Sequence, residues 1–285
     1  MAGWLIAALS LAAGAATAQQ AVQVPSLDRG VVLPGFWFPA AAPGPAMLLL
    51  HGCGGPYDRS KQLSGRMHAY AARLNALGVH VLVTDSLTPR GETELCTQKN
   101  GSRQLTQTQR RRDALGALQW LAAQPGVDAR RLGLLGWSNG GSTVLAATNR
   151  GHAEVAAAPL RPSLAVAFYP GCQAELDRGY AGTAPLLLLV GEADDWTPAA
   201  PCRALASNAA TNPATIASSA PVQIEVYAGA FHGFDGTAPP RLRRDVPNGT
   251  QPGQGVHVGG QPAARAASLA RLDRFLREQW GLAPQ

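Results

Sequence analysis

Short apolar runs alternate with stretches of helical spacing along nearly the whole chain, and this alternation restricts the fold more than any other feature of the sequence. The runs at 31–38, 46–50, 79–84, 131–135, 164–168, 186–190 and 222–227 have the length and composition of strands, and 131–135 reads as a buried one. Between and after them, 63–77, 106–123, 139–149, 199–208 and 262–280 have the length of helices. In the last of these Leu269, Leu272, Leu276 and Trp280 recur at helical spacing, and Pro262 suits a first helical turn. Strands separated by helices cannot be joined as hairpins, so they pair in parallel and the helices cover the sheet. The expected class is therefore α/β, with a mostly parallel central sheet flanked by helices on both faces. A chain of 285 residues, 46% hydrophobic and 15% charged, can fill one core of this kind. The interval 234–260 is rich in Gly, Pro and Arg and reads as a long surface loop; no internal repeat or second domain is evident.

Residues 1–18 read as a signal peptide, because an apolar, alanine-rich run ends in Ala16-Thr17-Ala18 before Gln19, although no Lys or Arg precedes it. The run is too short to span a bilayer well, which weighs against an anchor. The expectation is export to the periplasm or the cell exterior, with residues 19–285 forming one domain and no stable membrane insertion after cleavage. The formal charge is +6, from 24 Lys+Arg against 18 Asp+Glu, yet the arginines are scattered and no recognition module accompanies them, so a nucleic-acid partner is not expected. Arg110-Arg111-Arg112, at the start of a helix, reads as a solvated face. Four cysteines in an exported chain suggest two disulfides, with three possible connectivities. Cys53 and Cys96 each lie just beyond a strand end, as do Cys172 and Cys202, which favours 53 with 96 and 172 with 202. No C-x-x-C or H-x-x-x-H pair suggests a metal, and none is expected.

The strand at 131–135 runs straight into Gly136-Trp137-Ser138-Asn139-Gly140, a G-x-S-x-G pattern. Small flanking residues allow a sharp strand-to-helix turn that holds the serine hydroxyl at its apex. A serine needs a base to remove its proton, and the base needs a third group to fix its tautomer. Two later strands run into suitable residues. Leu186 to Val190 leads to Gly191-Glu-Ala-Asp194-Asp195, and Val222 to Tyr227 leads to Gly229-Ala-Phe-His232. The order Ser138, Asp194, His232 is that of the α/β-hydrolase fold. Asp195 is the reserve for the acid and could instead cap the helix beginning near Thr197 or Pro198; His257 is the rival base, and His51 is assigned to shaping its loop. An oxyanion would need backbone donors, for which the N–H groups of Asn139 and of Cys53, in the loop His51-Gly-Cys53-Gly-Gly55, are the candidates. Neither G-x-G-x-x-G nor a Walker lysine motif is present, so this loop does not read as a nucleotide site.

His51-Gly-Cys-Gly-Gly-Pro56, Asp85-Ser-Leu-Thr-Pro-Arg-Gly91, Gly136-Trp-Ser-Asn-Gly-Gly141, Gly191-Glu-Ala-Asp194 and Ala230-Phe-His232-Gly-Phe-Asp235 together resemble the dienelactone hydrolase family. The resemblance implies a nucleophile–Asp–His triad, with Asp194 and His232 at the matching places. Dienelactone hydrolases proper carry cysteine as nucleophile, whereas this chain has Ser138, as many relatives do. That departure favours a general ester or lactone hydrolase working through an acyl-enzyme, without cofactor. A peptidase or acyltransferase on the same machinery, or a binding protein that retains the fold, are the alternatives. Arg90, at the same sheet edge, could pair with a substrate carboxylate or could hold the Cys96 loop.

Overall fold

The computed structural model describes residues 19–211 and 219–283. The expected signal peptide, residues 1–18, lies outside the described residues. An eight-stranded sheet forms the centre, built in chain order from β1 (Gln20–Pro25), β2 (Val32–Phe38), β3 (Gly44–Leu50), β4 (His80–Thr84), β5 (Val127–Trp137), β6 (Leu164–Phe168), β7 (Leu186–Gly191) and β8 (Val222–Tyr227). Its spatial order is β1-β2-β4-β3-β5-β6-β7-β8. β3 to β8 pair in parallel, and β1 and β2 add an antiparallel edge. The helices are α1 (Gly65–Ala76), α2 (Gln107–Ala122), α3 (Asn139–Thr148), α4 (Ala153–Ala156), α5 (Gln173–Asp177), α6 (Ala199–Thr211) and α7 (Pro262–Trp280).

Two-residue periodicity explains why the central strands are apolar throughout. In β3, Ala46, Leu48 and Leu50 join a core layer with Ala117 and Leu118 of α2, Leu145 of α3 and Leu205 of α6. Met47 and Leu49 point the other way and pack with Met67, Tyr70 and Leu74 of α1 and with Leu272 and Phe275 of α7. A strand buried on both faces has no position left for a polar residue. Helix α2 starts at a capping box, with Thr106 accepting from the Thr108 N–H and Gln109 reaching back. The long helix α7 ends at Gly281, which takes the left-handed conformation that a Cβ would strain.

The topology sets the place of the site. β4 lies on one side of β3 and β5 on the other, so the chain leaves β3 and β5 toward opposite faces of the sheet. This reversal opens a crevice at the carboxyl ends of the strands, where open α/β sheets bind ligands. Two differences from the sequence reading concern the first strand and the interval 234–260. β1 was not anticipated, since of Gln20–Pro25 only Val24 is buried and the segment lacks an apolar run. The interval 234–260 is not all loop, because β9 (Arg241–Arg243) and β10 (Val256–Val258) form an antiparallel pair within it. Among the described residues no helix is long and apolar enough to cross a membrane.

Candidate active site

The turn between β5 and α3 is built by two close backbone approaches. A Cβ on Gly136 would stand 2.3 Å from the Gly140 carbonyl oxygen, and one on Gly140 would stand 2.0 Å from that of Leu50. Only glycine fits at either place. Between them Ser138 is held at φ 52°, ψ −117°, a region that a residue with a Cβ avoids. Its backbone is fixed from both sides: the N–H donates to the Phe168 carbonyl at 2.9 Å, and the carbonyl accepts from the Ser142 N–H at 2.8 Å. Strain of this kind costs about 1–3 kcal/mol and persists only where the surroundings over-determine it.

The loops after β7 and β8 bring Asp194 and His232 to this serine. Asp194 Oδ1 accepts from the Trp196 and Thr197 backbone N–H groups at 2.9 and 2.8 Å, which locks the carboxylate. Its Oδ2 lies 2.8 Å from His232 Nδ1, and His232 Nε2 lies 2.9 Å from Ser138 Oγ. With Asp194 as the acceptor at Nδ1, the imidazole carries its proton there and presents a free lone pair to the serine hydroxyl. Thr197 Oγ1 adds a third contact, donating within reach of Asp194 Oδ2 at 3.0 Å and sitting 3.0 Å from His232 Nδ1. The rings of Tyr169 and Trp196 flank the imidazole, each 4.6 Å from its centroid. Ser138, Asp194 and His232 are all buried. Low exposure strengthens each of these polar contacts.

The glycine-rich loop after β3 meets the turn directly: a Cβ on Gly52 would be 3.6 Å from that of Ser138. The Cys53 and Asn139 amides therefore belong to two loops in contact around the serine. Asn139 is the first residue of α3, where an N–H has no acceptor within the helix. A disulfide ties Cys53 to Cys96, and the second joins Cys172 to Cys202. The Cys53 carbonyl also accepts from the Leu95 N–H at 2.7 Å, so the loop is held by one covalent and one hydrogen bond.

Two clefts meet at Ser138. One, of about 580 Å³, is lined by Tyr169, His232, Arg66, Arg241, Arg243 and Arg265 among others. The other, of about 950 Å³, is lined by Lys99, Arg103, Gln107, Asn139, Gln173 and Asn248 among others. Cys53 and Trp196 border both. Beneath the first cleft, Asp235 gathers a buried network: Tyr169 and Tyr70 donate to it at 2.6 and 2.8 Å, the Trp137 indole N–H at 3.1 Å, and Arg66 pairs with it at 3.1 Å. Burial, with Asp235 alongside, pushes both phenols far above their ordinary pKa, so they stay protonated as donors.

Several sequence expectations need correction here. Arg90 lies outside both clefts: its guanidinium grips Asp113 with two bonds of 2.9 and 2.8 Å, and reaches Asp28 at 2.9 Å and the Ser86 carbonyl at 2.9 Å. Asp113 is fully buried on α2 and takes the cation that a substrate would have needed. Asp195 caps no helix: the helix begins at Ala199, and the turn before it is closed by Asp194, which accepts from the Trp196 and Thr197 N–H groups. Asp195 turns the other way and binds His257, through the backbone N–H at 2.8 Å and Nδ1 at 2.7 Å, so the reserve acid and the rival base pair with each other and anchor β10. The arginine run is not a solvated face: Arg110 is 1% exposed and Arg111 7%. Arg111 and Arg112 pair with Glu154. Tyr169, Trp196, Arg66 and Arg110 were not singled out for the site. Tyr169 follows β6 at the same sheet edge as Ser138, and that position is the signal that would have found it.

A mostly parallel sheet that presents serine, aspartate and histidine from the loops after β5, β7 and β8 defines the α/β-hydrolase class. Within that class the chain belongs to the dienelactone hydrolase family, whose profile matches residues 36–278. No curated protein matches the sequence. Among solved structures it is similar to a dienelactone hydrolase-like promiscuous phosphotriesterase from metagenomic libraries, at TM-score 0.63 and 18% identity over 93% of this chain and 100% of that one. Esterase 2 of Thermogutta terrifontis is similar at TM-score 0.64 and 16% identity, over 94% and 97% of the two chains. Dipeptidyl peptidase 4 of Porphyromonas gingivalis matches at TM-score 0.62 and 16% identity, over 92% of this chain but 35% of its own. At these identities the likeness concerns the fold.

Proposed function

We propose that the chain is an exported serine hydrolase that cleaves carboxylic esters or lactones through an acyl-enzyme. The observation that carries this reading is the unbroken path Asp194 Oδ2 to His232 Nδ1 at 2.8 Å and His232 Nε2 to Ser138 Oγ at 2.9 Å, ending on a serine in a strained turn. In the reaction Ser138 Oγ attacks the carbonyl carbon while His232 Nε2 takes its proton, and Asp194 stabilises the imidazolium. The Cys53 and Asn139 amides face the oxyanion. His232 then gives the proton to the leaving alkoxide as the carbon–oxygen bond breaks. Water, deprotonated by the same histidine, attacks the acyl-serine and frees the acid. For a lactone both products stay joined as one hydroxy acid. Arg241, which lines the first cleft and forms no ion pair among the described residues, favours substrates bearing an anionic group and takes that role in place of Arg90, whereas Arg243 beside it is paired with Asp245. Two disulfides support an oxidising destination, and with it the reading of residues 1–18 as an export signal.

The test is turnover of a panel of p-nitrophenyl esters, lactones and dicarboxylate esters by wild type and Ser138→Ala. Loss of the serine should lower kcat by about 10⁶-fold, as when a triad nucleophile is removed. Unchanged turnover would overturn the assignment.

A further inference from the structure

Arg110 is a buried cation with no carboxylate among its hydrogen-bond partners, and it forms no ion pair among the described residues. Its Nη2 donates to the His51 carbonyl at 2.8 Å and its Nη1 to Asn139 Oδ1, while its Nε finds no partner. Taking a guanidinium out of water without a direct counter-ion is expensive. Burial lowers its pKa to about 10, with Asp113 and Asp85 acting in the opposite sense, so it remains charged at neutral pH. The two groups it touches lie on the two loops that carry the oxyanion donors. Gln107, one turn earlier on α2, reinforces the second loop by donating to the Asn139 carbonyl at 3.1 Å.

His51 completes the arrangement. Its Nε2 accepts from the Ser86 N–H at 3.2 Å, which leaves Nδ1 as the protonated nitrogen, 2.7 Å from the Gly52 carbonyl. That carbonyl belongs to the same peptide unit as the Cys53 N–H. A bond donated to one end of a peptide polarises the other, making the N–H a better donor. Burial, and then the charge of Arg110, hold His51 well below its ordinary pKa and therefore neutral.

We propose that Arg110, together with His51, is a positioning residue of the oxyanion hole: its guanidinium ties the loop bearing the Cys53 amide to the turn bearing the Asn139 amide and sets a fixed positive charge behind them. The inference rests on the assignment of those two amides in the proposed reaction. Donors fixed in a low-dielectric site stabilise developing negative charge without reorganising, which lowers the barrier rather than the substrate's dissociation constant. A guanidinium suits the task because it can hold two acceptors in one plane.

The experiment compares wild type with Arg110→Gln, Arg110→Lys and Asn139→Ala, using a p-nitrophenyl ester, with active sites counted by a p-nitrophenyl phosphonate. Arg110→Gln should lower kcat per titrated site by about 10- to 100-fold, somewhat less than the loss of an oxyanion donor itself, with KM changed by less than about threefold. A trifluoromethyl ketone that forms a tetrahedral adduct should lose affinity in proportion. Arg110→Lys should recover part of the rate by restoring charge. A residue needed only for folding would reduce the number of titrated sites and leave each at wild-type rate, and that result would overturn the proposal, as would a lysine variant no better than glutamine. Should Arg110→Gln fail to fold, Asn139→Ala decides, because it removes one acceptor and keeps the backbone N–H: a loss of about tenfold per site supports the proposal and wild-type turnover refutes it. A wild type that neither turns over esters nor takes up phosphonate would remove the hydrolase reading, and the inference with it; normal wild-type turnover with insensitive Arg110 variants removes the inference alone.

Discussion

Replacing Asp235 with alanine would remove the acceptor on which the floor beneath His232 is built. The carboxylate is fully buried and holds Tyr169, Tyr70, the Trp137 indole and Arg66. Removing one member of a buried ion pair destabilises by about 3–5 kcal/mol. The side chain of Arg66 is 32% exposed and can regain water, which pulls the value toward the lower end. Three donors left without an acceptor pull it back, each worth about 1 kcal/mol or more when buried and unpaired. The expected loss is therefore about 3–5 kcal/mol, and at about 2–4 °C per kcal/mol the melting temperature should fall by about 6–20 °C. Urea unfolding followed by tryptophan fluorescence gives the free energy, with an unchanged m-value showing that the native and unfolded states keep their compactness. Because the Tyr169 ring lies against the imidazole, kcat measured well below the transition should also fall. Asp235→Asn keeps one acceptor oxygen and should lose less than alanine. A free-energy loss below about 1 kcal/mol for Asp235→Ala would refute the account of this network.

Gly140→Ala places a methyl group 2.0 Å from the Leu50 carbonyl oxygen, so backbone must move; a loss at or above about 3 kcal/mol and a drop in kcat are expected, and normal values of both in urea unfolding and ester assays would contradict the turn geometry. Burial lowers the pKa of His51 and of His80, so below the ordinary histidine value of about 6.5 the unfolded chain takes up protons that the folded chain refuses. Stability should accordingly be undiminished by these groups above that pH and decline as the pH falls through it toward their folded values. Urea midpoints measured from about pH 7.5 to about pH 5.5 should decrease, less steeply in His80→Asn; a flat wild-type profile would contradict the burial argument. Opening the Cys172–Cys202 disulfide by the double serine substitution frees a loop spanning 30 residues, which on chain-entropy grounds costs about 3–4 kcal/mol, while kcat per titrated site should hold. Equal stability of the double variant and wild type would show that the bridge adds nothing.

Much of the architecture is legible from one-dimensional pattern. β3, β4, β6, β7 and the second half of β5 announce themselves because burial on both faces requires nearly continuous apolar runs. β8 does so by the alternation of Val222, Ile224 and Val226 with polar residues at the partly buried edge, and the turn at Ser138 because close backbone contact admits only glycine at Gly136 and Gly140. The positions of Asp194 and His232 follow from the rule that loops at the carboxyl ends of parallel strands share one edge. β1 escaped because it lies at the sheet edge with one buried residue, and the β9–β10 pair because each strand has three residues and is held by Asp195 and His257 instead of an apolar face. Arg90 and Arg110 illustrate a different limit. A buried arginine and a solvated one look alike in sequence; Arg90 is claimed by Asp113, and Arg110 by carbonyl and amide oxygens from two other loops. Those partners come together only after the sheet has formed.

The most direct test of the central claim is mass spectrometry of wild-type protein quenched in acid during turnover of p-nitrophenyl acetate. The account predicts an acetyl group on the peptide containing Ser138, formed in the initial burst, absent from Ser138→Ala and scarcely formed in His232→Ala. Steady ester hydrolysis with no acyl group at Ser138, or with the group on another residue, would contradict it.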